Sequence, residues 1–194
     1  MRKWLIAAAA LCVAAPAQAD WHEARSKHFT VYGDMKPDEL RGFAQKLERF
    51  DAAVREARGV PDVQPGASTR VTLFLLRDMR TLRRVYGDTE ASVAGFYIPK
   101  ASGSVAFIPE ESDRDEFGLS AESIFFHEYS HHLMLQDADR PLPVWLTEGF
   151  AEFFANPKFN PDGSGVIGLP PKYRAEPLYL ARTDRLTTEE MLSG

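Results

Sequence analysis

The apolar positions along this chain change period several times, and each change marks an element. His28-Phe29-Thr30-Val31-Tyr32 alternates polar and apolar side chains and ends at Gly33-Asp34, which predicts an entry strand within Trp21 to Asp34. The period then lengthens. Leu40, Phe43, Leu47, Phe50, Val54 and Ala57 recur at intervals of three and four, after Pro37-Asp38-Glu39 and before Gly59 and Pro61. A proline and acids suit a first helical turn and glycine a stop, so this is the longest predicted helix, and its apolar stripe is core.

Val60 to Thr69 reads as a connection, and Arg70 to Leu76 as a strand too apolar for a one-sided edge. Asp78 is placed to cap a short helix through Tyr86, closed by Gly87-Asp88, whose arginines (Arg77, Arg80, Arg83, Arg84) suit a solvated face. Gly95 to Ile98 and Val105 to Ile108 flank a small turn containing Gly103, the pattern of a β-hairpin. Glu110 to Glu116 is an acidic loop, and Ser120 can cap a helix running to about Gln136. Pro143 suits the first turn of another helix, which passes Phe153 and Phe154 and stops before Pro157. A turn-rich loop, a short extended piece Val166 to Gly168 and a capped helix just beginning at Leu186 to Leu192 complete the chain. The order β-α-β-α-β-β-α-α predicts an α+β fold, a small twisted sheet with the long helix and the 120–136 helix packed on it.

Composition alters this picture mainly at the N-terminus. Arg2 and Lys3 precede the apolar run Trp4 to Ala15, and Pro16 and Ala17-Gln18-Ala19 follow in the form of a cleavage site. Residues 1–19 are therefore expected to be a signal peptide, and residues 20–194 one exported domain, periplasmic or secreted, with no membrane attachment after cleavage. Cleavage removes two of the 23 Lys and Arg, leaving 21 against 28 Asp and Glu, a net charge of −7. Such a balance argues against nucleic acid as a partner. The single cysteine, Cys12, leaves with the leader, so neither disulfides nor thiolate ligands are expected.

The chemistry concentrates in His127-Glu128-Tyr129-Ser130-His131. Histidines four apart on a helix lie one turn apart on one side, so both imidazoles can reach one metal ion, and Glu128 can address a water on that metal. Catalytic zinc takes three protein ligands and keeps one position open. The third must be a carboxylate or histidine, and Glu148 and Glu152 are one turn apart on the following apolar helix, where buried acids need partners. Glu148 is expected as the third ligand, with Glu152 holding the far nitrogen of His127; the exchange of those two roles stays open. His132 is expected at the surface or behind the ligands, and His22 and His28 in surface or core positions.

This motif, followed by Trp145-Leu146-Thr147-Glu148-Gly149-Phe150-Ala151-Glu152, resembles the gluzincin metallopeptidases, the thermolysin-like zincins. It is most similar to the short peptidase MA-like domains of exported bacterial proteins, over about Ala121 to Asn156. The resemblance implies a zincin-like fold, a zinc ion on His127, His131 and Glu148, Glu128 as catalytic base, and a peptide or protein substrate. It also implies that the strand Val105 to Ile108 lines the cleft and offers its edge to an extended peptide. Such enzymes place a Tyr, His or Arg over the oxyanion from downstream; Tyr173, Arg174, Tyr179 and Arg182 are downstream here, in no recognisable motif. The ending at Gly194 suggests a version without a complete C-terminal lobe, which keeps a second reading open, a non-catalytic zincin-fold interaction domain that binds zinc.

Overall fold

The computed structural model describes residues 20–66, 69–91, 93–110, 120–136, 138, 140–162, 164–170, 187 and 189–190. The leader at 1–19, the acidic loop at 111–116, the downstream Tyr173, Arg174, Tyr179 and Arg182, and most of the final helix lie outside the described residues.

The chain forms a mixed α+β fold. Its elements are β1 (His22–Arg25), β2 (Phe29–Gly33), α1 (Pro37–Arg58), β3 (Val71–Leu76), α2 (Met79–Tyr86), β4 (Phe96–Ile98), β5 (Val105–Pro109), α3 (Ala121–Gln136), α4 (Val144–Phe154), β6 (Lys158–Phe159) and β7 (Gly165–Val166). Two of these differ from expectation: the entry strand is an antiparallel pair, β1 on β2, and the extended piece after the turn-rich loop pairs with β6. The helices begin and end where their capping chemistry places them. Asp78 accepts a hydrogen bond from the Thr81 amide, Ser120 accepts one from Ser123, and Gly59 and Gly87 close α1 and α2 in the left-handed conformation. Pro143 is one residue earlier than expected, at the N-cap of α4.

The main sheet has the order β1-β2-β3-β5-β4. β2, β3 and β5 run parallel, while β1 and β4 are antiparallel to their neighbours. The expectation that Val105 to Ile108 offers a free edge is therefore corrected. β5 pairs on both sides, with β3 and with β4, and β4 is the edge strand at that end of the sheet. The hairpin turn folds the shorter strand outward, so the edge passes to Phe96–Ile98.

One face of the sheet, with Phe29, Val31, Leu73, Leu75, Ala106 and Ile108 buried, carries α1 and α3. Phe50 of α1 stacks on Phe126 of α3 at 4.0 Å, and Phe29 meets Tyr129 at 4.9 Å. Aromatic contacts of this kind add about 1 kcal/mol each to the burial of their area. They fix the position of α3 on the sheet, and α3 carries the histidine motif.

Candidate metal centre

Helix α3 buries Ile124, Phe125, Phe126, Tyr129 and Leu133, which leaves His127, Glu128 and His131 on its half-buried flank. Helix α4 packs against α3 and brings Glu148 over that flank. His127 Nε2 and His131 Nε2 stand 3.2 Å apart; Glu148 places Oε2 3.4 Å from the first and Oε1 3.5 Å from the second. A tetrahedral ion with bonds of about 2.0–2.1 Å holds its donors about 3.4 Å apart, so this triangle has the size that such an ion requires. Both imidazoles turn Nε2 to the same point, as two ligands of one ion do. Among the described residues, His127, His131 and Glu148 form one of two groups of donor atoms close enough to share a metal.

The second group, His28, Asp51 and Asp62, already has its cations. His28 Nδ1 meets Glu48 at 2.7 Å and lies 3.4 Å from Asp51. Arg55 Nε donates to Asp51 at 2.8 Å, and Lys27 Nζ to Asp62 at 2.5 Å. Burial pulls the His28 pKa down, but its hydrogen bond to Glu48 and the Asp51 and Glu48 charges outweigh that, and the net shift is upward. Three carboxylates face a raised imidazole, a guanidinium and an ammonium, which leaves a divalent ion no charge to satisfy. The sequence offered no sign of this cluster beyond the residue types.

Around the first group the ionisable side chains are tuned by burial. Burial raises the Glu128 pKa to about 7, with the Glu148 charge adding to it. Burial and the neighbouring His127 lower that of His131, partly opposed by Glu148, which favours the neutral imidazole that a metal needs. Glu152 stands 3.9 Å from His127 Nδ1, on the nitrogen away from the triangle and beyond hydrogen-bond length. The two acids differ in exposure: the Glu148 side chain is 52% exposed and that of Glu152 20%. Burial therefore does not explain Glu148; its position over the two Nε2 atoms does.

His132 is neither at the surface nor behind the ligands. Its ring stacks on Tyr129 at 5.4 Å, its Nδ1 hydrogen-bonds the Tyr97 hydroxyl of β4, and Gln136 donates to its Nε2 at 2.8 Å. Burial, then the Arg55 charge, lowers its pKa to about 4 against the opposing pull of Asp51, so it is neutral. This contact ties the edge strand to the motif helix, and nothing local to His132 in the sequence signals it.

Beside the centre lies a cleft of about 500 Å³. Val85 and Tyr86 of α2, Val93 and Gly95 on the approach to β4, and β4 itself form its walls, and Glu128 completes them. Glu128 thus faces both the histidine motif's flank and an open cavity of the size used for ligands.

No protein-family model matches this chain, and no curated protein does. The functional reading therefore rests on the residues and their geometry.

Proposed function

We propose that this chain is an exported zinc-dependent metallopeptidase with a zincin-like fold, similar to the gluzincins, that hydrolyses peptide bonds. The observation that carries the reading is the donor triangle of His127, His131 and Glu148 with the Glu128 carboxyl beside it on an open cleft. His127, His131 and Glu148 hold the metal. Zinc bound there supplies a polarised scissile carbonyl and a water of lowered pKa.

Glu128 accepts the proton of the attacking water and delivers it to the leaving amine, a role its shifted pKa and its place on the cleft both suit. Glu152 faces the far nitrogen of His127 and orients that ring. The edge strand β4 receives an extended substrate through its backbone groups on the side away from β5. A binding module has no use for a carboxyl such as Glu128, which is why the catalytic reading stands ahead of an interaction domain that merely keeps a metal.

The test is metal content and cleavage together. The full chain and its Glu128→Gln variant are assayed for bound zinc by mass spectrometry and for cleavage of a mixed peptide library. Near-stoichiometric zinc is expected in both, with cleavage reduced by about 10²–10⁴-fold in the variant. Zinc without cleavage by the wild type would sink the enzyme reading; no zinc would sink the metal site.

A further inference from the structure

We propose that His132 is a positioning residue: through the Tyr97 hydroxyl it fixes the edge strand β4 relative to the Glu128 carboxyl on the motif helix. The catalytic consequence rests on the peptidase reading above, whereas the placement of the strand does not. An α-helix turns once in about 3.6 residues, so Glu128, His132 and Gln136, each four after the last, form one row along α3. β4 meets this row at two points. Glu128 lines the cleft walled by Gly95 to Ile98, and one turn further on His132 holds Tyr97.

The strand has few other means of keeping its place. It is three residues long and pairs only with β5. Tyr97 lies opposite Ala106, which is buried on the helix-bearing face, so the strand alternation sends Tyr97 to that face and Phe96 and Ile98 to the other. Tyr97 is thus the one side chain of β4 directed at the helix. Its partner is held from the core: the His132 ring stacks on Tyr129 at 5.4 Å, and Tyr129 is hydrogen-bonded in turn to Asp51. Gln136 donates to His132 Nε2 at 2.8 Å, so the neutral ring carries its hydrogen on Nδ1 and donates it to the Tyr97 oxygen. Both nitrogens are engaged, and the ring has one orientation.

A misplacement of about 1 Å at a reacting bond can cost about 10²-fold in rate. A peptide lying along β4 moves with that strand, while Glu128 stays with α3. Loss of the tether therefore shifts the scissile bond against the carboxyl but leaves the hydrogen-bonding edge of the strand intact, so turnover falls more than affinity.

Three variants of the full chain test this. Tyr97→Phe removes only the hydroxyl, His132→Leu removes the ring, and His132→Asn restores an N–H near the place of Nδ1. In EDTA, the slowest amide of Phe96 to Ile98, followed by NMR, is expected to exchange about tenfold faster in the first two variants and to recover in His132→Asn. Zinc-loaded proteins are then compared on one fluorogenic peptide that the wild type cuts. There kcat is expected to fall about 10–100-fold in Tyr97→Phe and His132→Leu with KM within about twofold, and to return most of the way in His132→Asn. Unchanged exchange in Tyr97→Phe overturns the proposal, whether or not the chain cleaves anything. Faster exchange with an unaltered kcat overturns it as well, because the place of the strand would then not matter to Glu128. A wild-type chain that cuts no peptide fails the peptidase reading instead, and exchange alone then decides the tether.

Discussion

Tyr129 donates its hydroxyl hydrogen to Asp51 at 2.6 Å, joining the motif helix to the middle of α1 inside the core. Asp51 is 1% exposed and also accepts from Arg55, so the hydroxyl completes a buried, charged group. Hydrogen bonds to buried charges contribute about 1.5–3 kcal/mol. Tyr129→Phe keeps the ring packing on Phe29 and Phe125. It is expected to lower unfolding stability by about 2 kcal/mol in urea titration while metal content stays unchanged. An unaltered midpoint would show that the Tyr129–Asp51 hydrogen bond does not anchor α3.

The buried His28 and the half-buried His132 shift in opposite directions, and this sets a pH signature. The raised His28 contributes stability that is complete below its unfolded pKa of about 6.5 and is lost as pH rises through its folded value. His132 is lowered to about 4, so its contribution is present above about 6.5 and is lost as pH falls toward the folded value. Urea midpoints measured in EDTA from about pH 4 to 9 should therefore fall on both sides of a maximum near neutrality. In His28→Gln the alkaline decline should flatten. Parallel profiles for the two proteins above the maximum would show that His28 is not its source.

At the candidate metal centre, Ala substitutions at His127, His131 or Glu148 should each abolish the proposed zinc binding, because each removes one corner of a closed donor triangle. Glu152→Ala should retain the metal with affinity weakened about 10–100-fold, since Glu152 lies toward the outer nitrogen of His127, away from the donor triangle. Competition with a chromophoric chelator measures both. Heavier loss from Glu152→Ala than from Glu148→Ala would exchange their roles.

Gly95 sits where the chain enters the edge strand. A Cβ there would lie 2.6 Å from Ile124 Cγ2 and 3.1 Å from Ile108 Cγ2, between α3 and β5. Gly95→Ala should push β4 away from the motif helix at a cost of about 1–3 kcal/mol. Thermal unfolding reads the effect, and a wild-type midpoint would show that the Cβ is accommodated between Ile124 and Ile108.

The parts of the fold that were legible in the sequence are those whose causes are local. Pro37 and Gly59 bound α1 because cap preferences act within a few residues, and the three- and four-residue recurrence from Leu40 to Val54 names the face it buries. The histidine pair was equally legible, since helix geometry alone brings positions 127 and 131 together. Strand order was not. Val105–Pro109 and Phe96–Ile98 have similar local patterns, and only the parallel pairing of β5 with the distant β3 decides which is interior. His132 failed for the same reason: rotation about α3 shows that it leaves the His131 direction, but not that Tyr97 waits on the other side. The charges around His28 come from the turn before β2, from α1 and from the connection after α1, so no window of sequence contains them.

The three donor atoms occupy consecutive helices, between residues 127 and 148, while the sheet beneath them is assembled from strands far apart in the chain. Helix α3 is anchored to α1 and the sheet, whereas α4 makes its principal contacts with α3. Withdrawal of an ion shared by the two helices would thus release a local cooperative unit and leave the rest folded. Amide exchange under chelation would then quicken along α4 while the amides of β2, β3 and β5 keep their protection, so that an ion held there would act as the clasp of α4.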